Sequence, residues 1–334
     1  MSLVVVRAPF RISLFGGGSD YPAWAKAHGG AVLSTTINRY CWISARHLPP
    51  YFPGHAHRLV WSKVEEVLDS QSIQHPAIRA VLQHLQWPDS TGLEIHHQGD
   101  LPARSGMGSS SAFTVGLLHA LHALRGVVVG KERLARDAIH VEQEILKETV
   151  GAQDQIAAAY GGLNVIRFPR GSARHDVHPV TISAERAQAL EARLQLYYVG
   201  PRPAATTGSA VAATYDLAAK SHHLRTMAAM VDEAVTILAN GDLDDIGRLL
   251  HDAWKMKKEL GAVSDPRVDA AVACAYGAGA LGVKLLGAGA GGCLLVYASA
   301  DKELAVFHAL QSTLLPIEFC FERNGAQVVL HHVD

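Results

Sequence analysis

The stretch LPARSGMGSSSA, residues 101–112, decides how the rest of the chain is read. Gly106 and Gly108 let backbone N–H groups approach an anion closely. The apolar segment from Ala112 to Leu124 reads as a helix whose positive N-terminal end faces the same point. Ser109, Ser110 and Ser111 add neutral hydroxyl donors, and each can also offer an oxygen to a hard cation. This is the pattern of a phosphate cradle. It is not a Walker A loop, because no lysine follows the second glycine. A serine-rich cap before an ordinary helix is the alternative the stretch alone leaves open.

Upstream, Leu3–Val6 and Ile12–Phe15 read as two short strands around Ala8-Pro9, and Ala31–Ser44 as a β-rich run. Ile78, Val81, Leu82 and Leu85 recur at helical spacing, and Leu93–His97 alternates like a strand. Downstream, Lys131 to about Lys147 reads as a helix. A short alanine-rich helix then starts near Asp154 and ends at Gly161-Gly162, and Leu163–Phe168 is strand-like. The polar stretch 169–178 is the candidate linker, so the chain divides into residues 1–168 and 169–334. The second half reads as a strand (Leu194–Val199), helices (Ala210–Asn240, Leu243–Leu260, Val268–Ala280), a hairpin around a glycine turn (Val283–Leu286, Cys293–Tyr297), a helix from Lys302 and a last strand (Gln327–His331). The class is α+β.

Two further glycine loops compete for a phosphate role. Gly287-Ala-Gly289-Ala-Gly-Gly292 formally matches the dinucleotide fingerprint, but Cys293–Tyr297 continues as a strand rather than a helix. The better reading is a turn where the backbone passes close to a ligand or another loop. Gly16-Gly-Gly18-Ser19-Asp20 is either a tight turn capped by Asp20 or a polyol site in which that carboxylate accepts from two hydroxyls.

Composition narrows the class of partner. With 49% hydrophobic and 18% charged residues the chain can build a packed core, and its 334 residues suggest two domains. A formal net charge of −1 leaves no global field to recruit nucleic acid or an anionic membrane, so any anionic ligand needs a local site. No apolar run approaches the ~18 residues of a membrane span. The N-terminus reads as a strand, not a signal peptide. Cys41, Cys274, Cys293 and Cys320 are far apart, which fits free thiols in a reducing compartment and makes the cytoplasm the expected location. The paired histidines lack the spacing and supporting carboxylate of a metal site. A homo-oligomer is left open.

Taken in order, the three loops resemble the motifs of the GHMP kinase superfamily across essentially the whole chain. Ala8–Gly16 resembles its first motif and Pro102–Ala112 its second, with Met107 where leucine is usual. Lys284–Gly292 resembles the third. Gly16-Gly-Gly-Ser-Asp20, Gln153-Asp154-Gln155 with Gly161-Gly162, His75-Pro76 and Trp254 with Lys257-Lys258 are similar to the D-glycero-D-manno-heptose 7-phosphate kinases and related fucokinases. Val199-Gly-Pro-Arg202 is a shifted form of that subgroup's T-G-x-x-R.

The resemblance implies a two-domain GHMP kinase fold, with a ribosomal protein S5 domain 2-like N-terminal domain and a ferredoxin-like C-terminal domain. It implies ATP and Mg²⁺, and a sugar phosphate as the other partner. Pro102, Ser105, Gly106, Met107, Gly108, Ser109, Ser110 and Ser111 would bind the nucleotide. Ser110 and Glu142 would hold Mg²⁺, with Glu144 and Glu148 as alternatives to Glu142. Asp154 would be the general base, with Arg11 beside it stabilising charge in flight. Ser19, Asp20, Tyr21, Gly287 and Gly289 would face the substrate. A substrate phosphate would need a cation, for which Arg202 and Lys257 are the first candidates and Lys258 and Lys284 the others. Trp61 is the candidate border of an adenine pocket. A kinase for an unphosphorylated sugar and a non-catalytic sensor of the same fold are the competing functions.

Overall fold

The first strand is longer than its sequence suggests. A computed structural model describes residues 2–49, 51–52, 54, 56–201 and 220–332. In it Leu3–Phe15 is a single strand, β1, and Pro9 lies inside it. Proline lacks an N–H to donate, and two features remove the need for one. The register of β1 against its neighbour shifts between Pro9 and Phe10, and its other neighbour pairs only with Leu3–Arg7.

A short helix α1 (Pro22–His28) joins β1 to the long strand β2 (Gly30–His47). Then come β3 (His57–Val60), β4 (Val64–Val67), α2 (Pro76–His84) and β5 (Leu93–Gly99), with β3 parallel to β5 and antiparallel to β4. Helix α3 (Ser109–Leu124) packs on β1 and β2, and its apolar residues are buried nearly all round, as in a central helix. Helices α4 (Lys131–His140) and α5 (Gln153–Tyr160) lean against it, followed by β6 (Asn164–Phe168) and β7 (Asp176–Pro179). The expected linker 169–178 thus runs into a strand that pairs with β6.

The second half begins with α6 (Ala184–Ala192) and β8 (Leu194–Gly200). Helices α7 (Ser221–Asn240), α8 (Asp244–Leu260) and α9 (Pro266–Gly277) follow, then the hairpin β9 (Gly282–Leu285) and β10 (Gly292–Tyr297). Helix α10 (Glu303–Gln311) and β11 (Leu315–Pro316) complete a sheet ordered β11-β8-β10-β9. That order, with three helices among the described residues between β8 and β9 and one between β10 and β11, is the ferredoxin-like strand arrangement with an elaborated first crossover. The helix expected from Ala210 is described from Ser221 onward; Arg202 and the residues to 219 lie outside the described residues.

The chain then crosses back. β12 (Phe321–Glu322) pairs with β2, and β13 (Gln327–His332) pairs with β1. A boundary at 168/169 therefore does not divide the large sheet, because β7, β12 and β13 all lie beyond it. The main apolar core is equally continuous, running from Val4 and Ile43 through Leu117 to Met230, Leu250 and Leu295. A second core around Trp254, Val268 and Leu310 lies under the smaller sheet. No helix among the described residues is long and apolar enough to cross a membrane.

Candidate active site

The three glycine loops converge on one cleft of about 550 Å³, floored by β1 and α3 and walled by α5, α7, α8 and the β9–β10 turn. At the phosphate loop, Gly106 and Gly108 have φ of +77° and +74°, the left-handed region that glycine enters freely. A Cβ at Gly106 would lie 2.6 Å from the Leu286 carbonyl oxygen, so the second and third glycine stretches touch backbone to backbone. Helix α3 starts at Ser109, and the side chains of Ser109, Ser110 and Ser111 reach the cleft with Gly106 and Gly108.

Three loop residues expected at the nucleotide do not line the cleft. Met107 is fully buried, and its carbonyl accepts from the Arg11 amide at 3.1 Å. Ser105 is buried, its carbonyl accepting from Cys293 N at 2.8 Å. Pro102 is exposed outside the wall. Met107 and Ser105 thus tie the loop to β1 and β10 through their carbonyls. Arg104, which sequence reasoning passed over, is exposed on the cleft rim at φ +63°. Its only sequence signal was its place in the loop.

Arg11 and Asp154 meet in the centre. Arg11 Nε donates to Asp154 Oδ1 at 2.8 Å and Nη2 to Oδ2 at 2.7 Å, the bidentate fork that fixes a carboxylate's plane. Nη1 donates to the Gly106 carbonyl at 2.7 Å, tying the pair to the phosphate loop. The arginine side chain is 4% exposed and the aspartate 26%, so the carboxylate is the partner that faces the cleft. Gly108 passes beside both: a Cβ there would meet Arg11 Cγ and Asp154 Oδ2 at 3.3 Å.

Asp20 and Ser19 are neighbours in sequence with opposite fates. Asp20 lines the cleft, its Oδ1 accepting from Gly18 N at 3.0 Å and Gln153 Nε2 at 3.3 Å, its Oδ2 from Gln153 N at 3.2 Å. Burial first, and then the charge of Asp154, raise its pKa above the ordinary carboxyl value, while the backbone N–H groups oppose the shift. A Cβ at Gly151 would fall 1.8 Å from Asp20 Oδ2, so only glycine fits opposite it. Tyr21 also lines the cleft.

Ser19 instead points under its loop. Its Oγ lies 2.8 Å from the Gly16 carbonyl and 3.0 Å from the Ala31 carbonyl, and accepts from Ala31 N at 3.2 Å. It is fully buried and off the cleft wall, which corrects its placing at the sugar. Ser19→Ala is expected to cost about 1–3 kcal/mol of stability through the hydrogen bonds lost at Ala31, and to leave the KM for substrate within about twofold. Chemical denaturation and steady-state kinetics check this.

The helix expected from Lys131 to Lys147 breaks at Val141–Ile145, where one π-helical turn carries Glu142. Such turns recur at functional sites because they swing one side chain out of the α-helical row. Glu142 is buried on the cleft wall. Its Oε2 accepts from Ser111 Oγ at 2.9 Å and Gln155 Nε2 at 2.5 Å, and its Oε1 has no partner among the described residues. Burial pushes its pKa up to about 7 against hydrogen bonds that pull the other way. An orphaned buried carboxylate oxygen beside serine hydroxyls fits Mg²⁺ brought in with phosphates. No group of three or more His, Cys, Asp or Glu among the described residues forms a protein-only metal site. Ser111 is the serine that bonds Glu142, and Ser110 stands beside it on the wall. Of the alternatives, Glu148 lines the cleft, whereas Glu144 is exposed and paired with Lys147.

The third loop splits as well. Gly287 lines the cleft, and a Cβ there would sit 2.6 Å from Gly106 Cα. Gly289 packs on Val263, 2.7 Å from that residue's backbone by the same measure, and is off the wall. Lys257 reaches the cleft with Nζ donating to the Leu285 and Gly287 carbonyls at 2.7 and 2.6 Å, so it braces the turn. Lys284 also lines it, whereas Lys258 does not, and Arg202 lies outside the described residues. Trp61 stands away from the cleft wall, its ring edge-on to His75 and its Nε1 donating to Glu65 at 2.8 Å.

Comparison with known proteins agrees with this architecture. The profile of the GHMP kinases N terminal domain matches residues 72–162, and that of the GHMP kinases C terminal domain matches 234–314, together just over half the chain. The chain is 28% identical to a D-glycero-alpha-D-manno-heptose 7-phosphate kinase of Campylobacter jejuni, over 98% of this chain and 99% of that one. It is 25% identical to a galactokinase of Roseiflexus, covering 87% of this chain and 82% of the other. Among solved structures, a D-glycero-D-manno-heptose 1-phosphate kinase from Bacteriodes thetaiotaomicron superposes with a TM-score of 0.79 at 23% identity, over 97% of this chain and 98% of that one.

Proposed function

The chain belongs to the GHMP kinase family and is a sugar kinase, a phosphotransferase with an alcohol acceptor; from that premise we propose that it phosphorylates the anomeric hydroxyl of D-glycero-D-manno-heptose 7-phosphate with ATP. The observation that carries the reading is the position of Asp154. Its carboxylate is clamped by Arg11, lies against Gly108 of the phosphate loop on one side, and is close enough to Asp20 on the other for their charges to interact. A sugar hydroxyl held at Asp20 and a γ-phosphate held at Gly106–Ser111 would thus meet beside one base.

The reaction the residues support is an in-line displacement. The sugar oxygen forms a bond to the γ-phosphorus as the bond to the β-phosphate oxygen breaks, and ADP leaves with that electron pair. Asp154 accepts the hydroxyl proton. An anomeric hydroxyl is more acidic than an ordinary alcohol, so a carboxylate suffices as base. Arg11 holds the acceptor oxygens of Asp154 in place and adds positive charge beside the transferring group. Ser110, Ser111 and Glu142 would hold Mg²⁺, which when bound neutralises charge on the nucleotide phosphates. Asp20, fixed by Gly18 and Gln153, orients the sugar. Free thiols and the need for ATP suit the cytoplasm.

The reading is tested by turnover with Mg·ATP on heptose 7-phosphate, L-fucose and galactose, with ³¹P NMR of the products. We expect an anomeric phosphate on the heptose and at least about tenfold lower kcat/KM for the free sugars, the discrimination of a site that pairs a second phosphate. Equal or faster turnover of either free sugar would sink the heptose reading and leave a sugar-1-kinase of other specificity.

A further inference from the structure

Lys284 is a buried lysine on the cleft wall, in the second half of the chain, whose hydrogen bonds are made to the first. It lies in β9, 3% exposed, and its Nζ donates to the Ser13 and Leu14 carbonyls at 2.9 and 2.7 Å. These carbonyls fall where β1 slips register against β2, between Ser13 and Phe15. A bulge takes backbone groups out of the ladder, and a buried carbonyl left there needs a donor.

The bulge sits at a sensitive place. Arg11 lies two residues before Ser13 in the same strand, and Gly16–Asp20 follows it directly. The short segment 11–20 thus carries both the clamp on Asp154 and the carboxylate at the sugar end of the cleft. Lys284 anchors that segment to β9, the strand that leads into the Gly287 turn packed on Gly106.

Stability alone does not account for a lysine here. Burial and the neighbouring Arg11 charge push its pKa down to about 7, so the site disfavours the ammonium form. A buried charge with no carboxylate partner among the described residues is costly, and an apolar side chain of like length would fill the space.

We propose that Lys284 is a positioning residue: it clamps the β1 bulge so that Arg11, Asp154 and Asp20 stay in register with the phosphate loop. This rests on the kinase reading for its kinetic consequence, while its structural consequence can be read without it.

The test compares wild type with Lys284→Met, using steady-state kinetics with Mg·ATP and heptose 7-phosphate and amide hydrogen exchange over residues 11–20. We expect kcat to fall at least about tenfold with the KM for ATP within about twofold, since small misplacement of reacting groups is costly in rate. Exchange of the amides from Leu14 to Asp20 should speed up about tenfold as the bulge loosens. A raised KM for ATP with unchanged exchange would mean that Lys284 touches phosphate itself, overturning the proposal. Unchanged kcat per folded molecule with only a lower Tm would also overturn it. If wild type transfers no phosphate to any sugar, the kinase reading fails, and the exchange result alone decides for or against the clamp. If Lys284→Met does not fold, Lys284→Gln is read the same way; failure of both to fold assigns the lysine a purely structural role and overturns the proposal.

Discussion

Asp154→Asn is expected to lower kcat by about 10²- to 10⁴-fold, the range for losing a general base, while Mg·ATP binds with little change. Asparagine is the informative replacement. Its amide oxygen can still accept from Arg11, which is buried and whose Nε and Nη2 both point at this side chain. Alanine would leave that guanidinium without its partner and cost about 3–5 kcal/mol on its own account, mixing a folding defect with a chemical one. Single-turnover measurements with saturating ATP, together with nucleotide titration of the variant, separate the two. Retention of near wild-type kcat would remove Asp154 from the proton-transfer role and with it the central argument for the reaction.

Glu142→Gln should separate activity from stability in the opposite direction. If Glu142 holds nucleotide-bound Mg²⁺ as proposed, its loss should reduce kcat/KM by about a hundredfold or more, since electrostatic stabilisation of transferring phosphate is worth several kcal/mol. The metal-free fold should respond differently. The folded-state pKa of Glu142 is about 7 against an ordinary 4.5, so the folded protein holds a proton that the unfolded chain has released. The stability linked to that proton is fully present below the unfolded value and is lost as pH rises through about 7. Glutamine is neutral throughout and loses nothing. The Tm of Glu142→Gln minus that of wild type should therefore grow between about pH 5 and pH 8 in metal-free buffer. A difference that stays flat, or shrinks, would show that Glu142 is not held in a site that penalises its charge. A variant both inactive and more stable at pH 8 would mark the carboxylate as kept for function at a cost to the fold.

The order of elements was largely legible because periodicity and glycine punctuation are local. Helix α2, the start of α4, the β9–β10 hairpin and the last strand fall close to where pattern and turn residues place them. Local rules failed where a partner from elsewhere supplied the compensation. Pro9 sits inside β1 because the neighbouring strands leave its missing N–H unneeded, and no window around Ala8-Pro9 contains those neighbours. The π turn at Glu142 replaces the expected helix because the carboxylate finds Ser111 and Gln155, one from α3 and one from α5.

The same limit divides the site. Asp154, Arg11, Asp20 and the glycines of the phosphate loop could be singled out by residue type, spacing and family resemblance. Ser19 and Gly289 share those motifs and yet serve packing, because which way a side chain points depends on what lies under the loop. Lys284 is one of four cations the sequence offers for a substrate phosphate, and its two carbonyl acceptors lie some 270 residues away in the chain.

What residues 101–112 determine by themselves is a local form that suits a phosphate cradle or a capped helix start: two glycines free to turn left-handed, hydroxyls, and a helix start, all set by covalent structure within one short segment. Only the tertiary structure decides which parts of that segment face the cleft and what stands opposite them. Gly106 against Leu286, Gly108 against the Arg11–Asp154 pair and Ser111 against Glu142 are contacts between segments far apart in sequence. Backbone conformation is restricted residue by residue, so it can be read locally. A catalytic geometry needs groups from β1, α3, the π turn and α5 held within hydrogen-bond distance of one another, and only packing of the whole chain provides that.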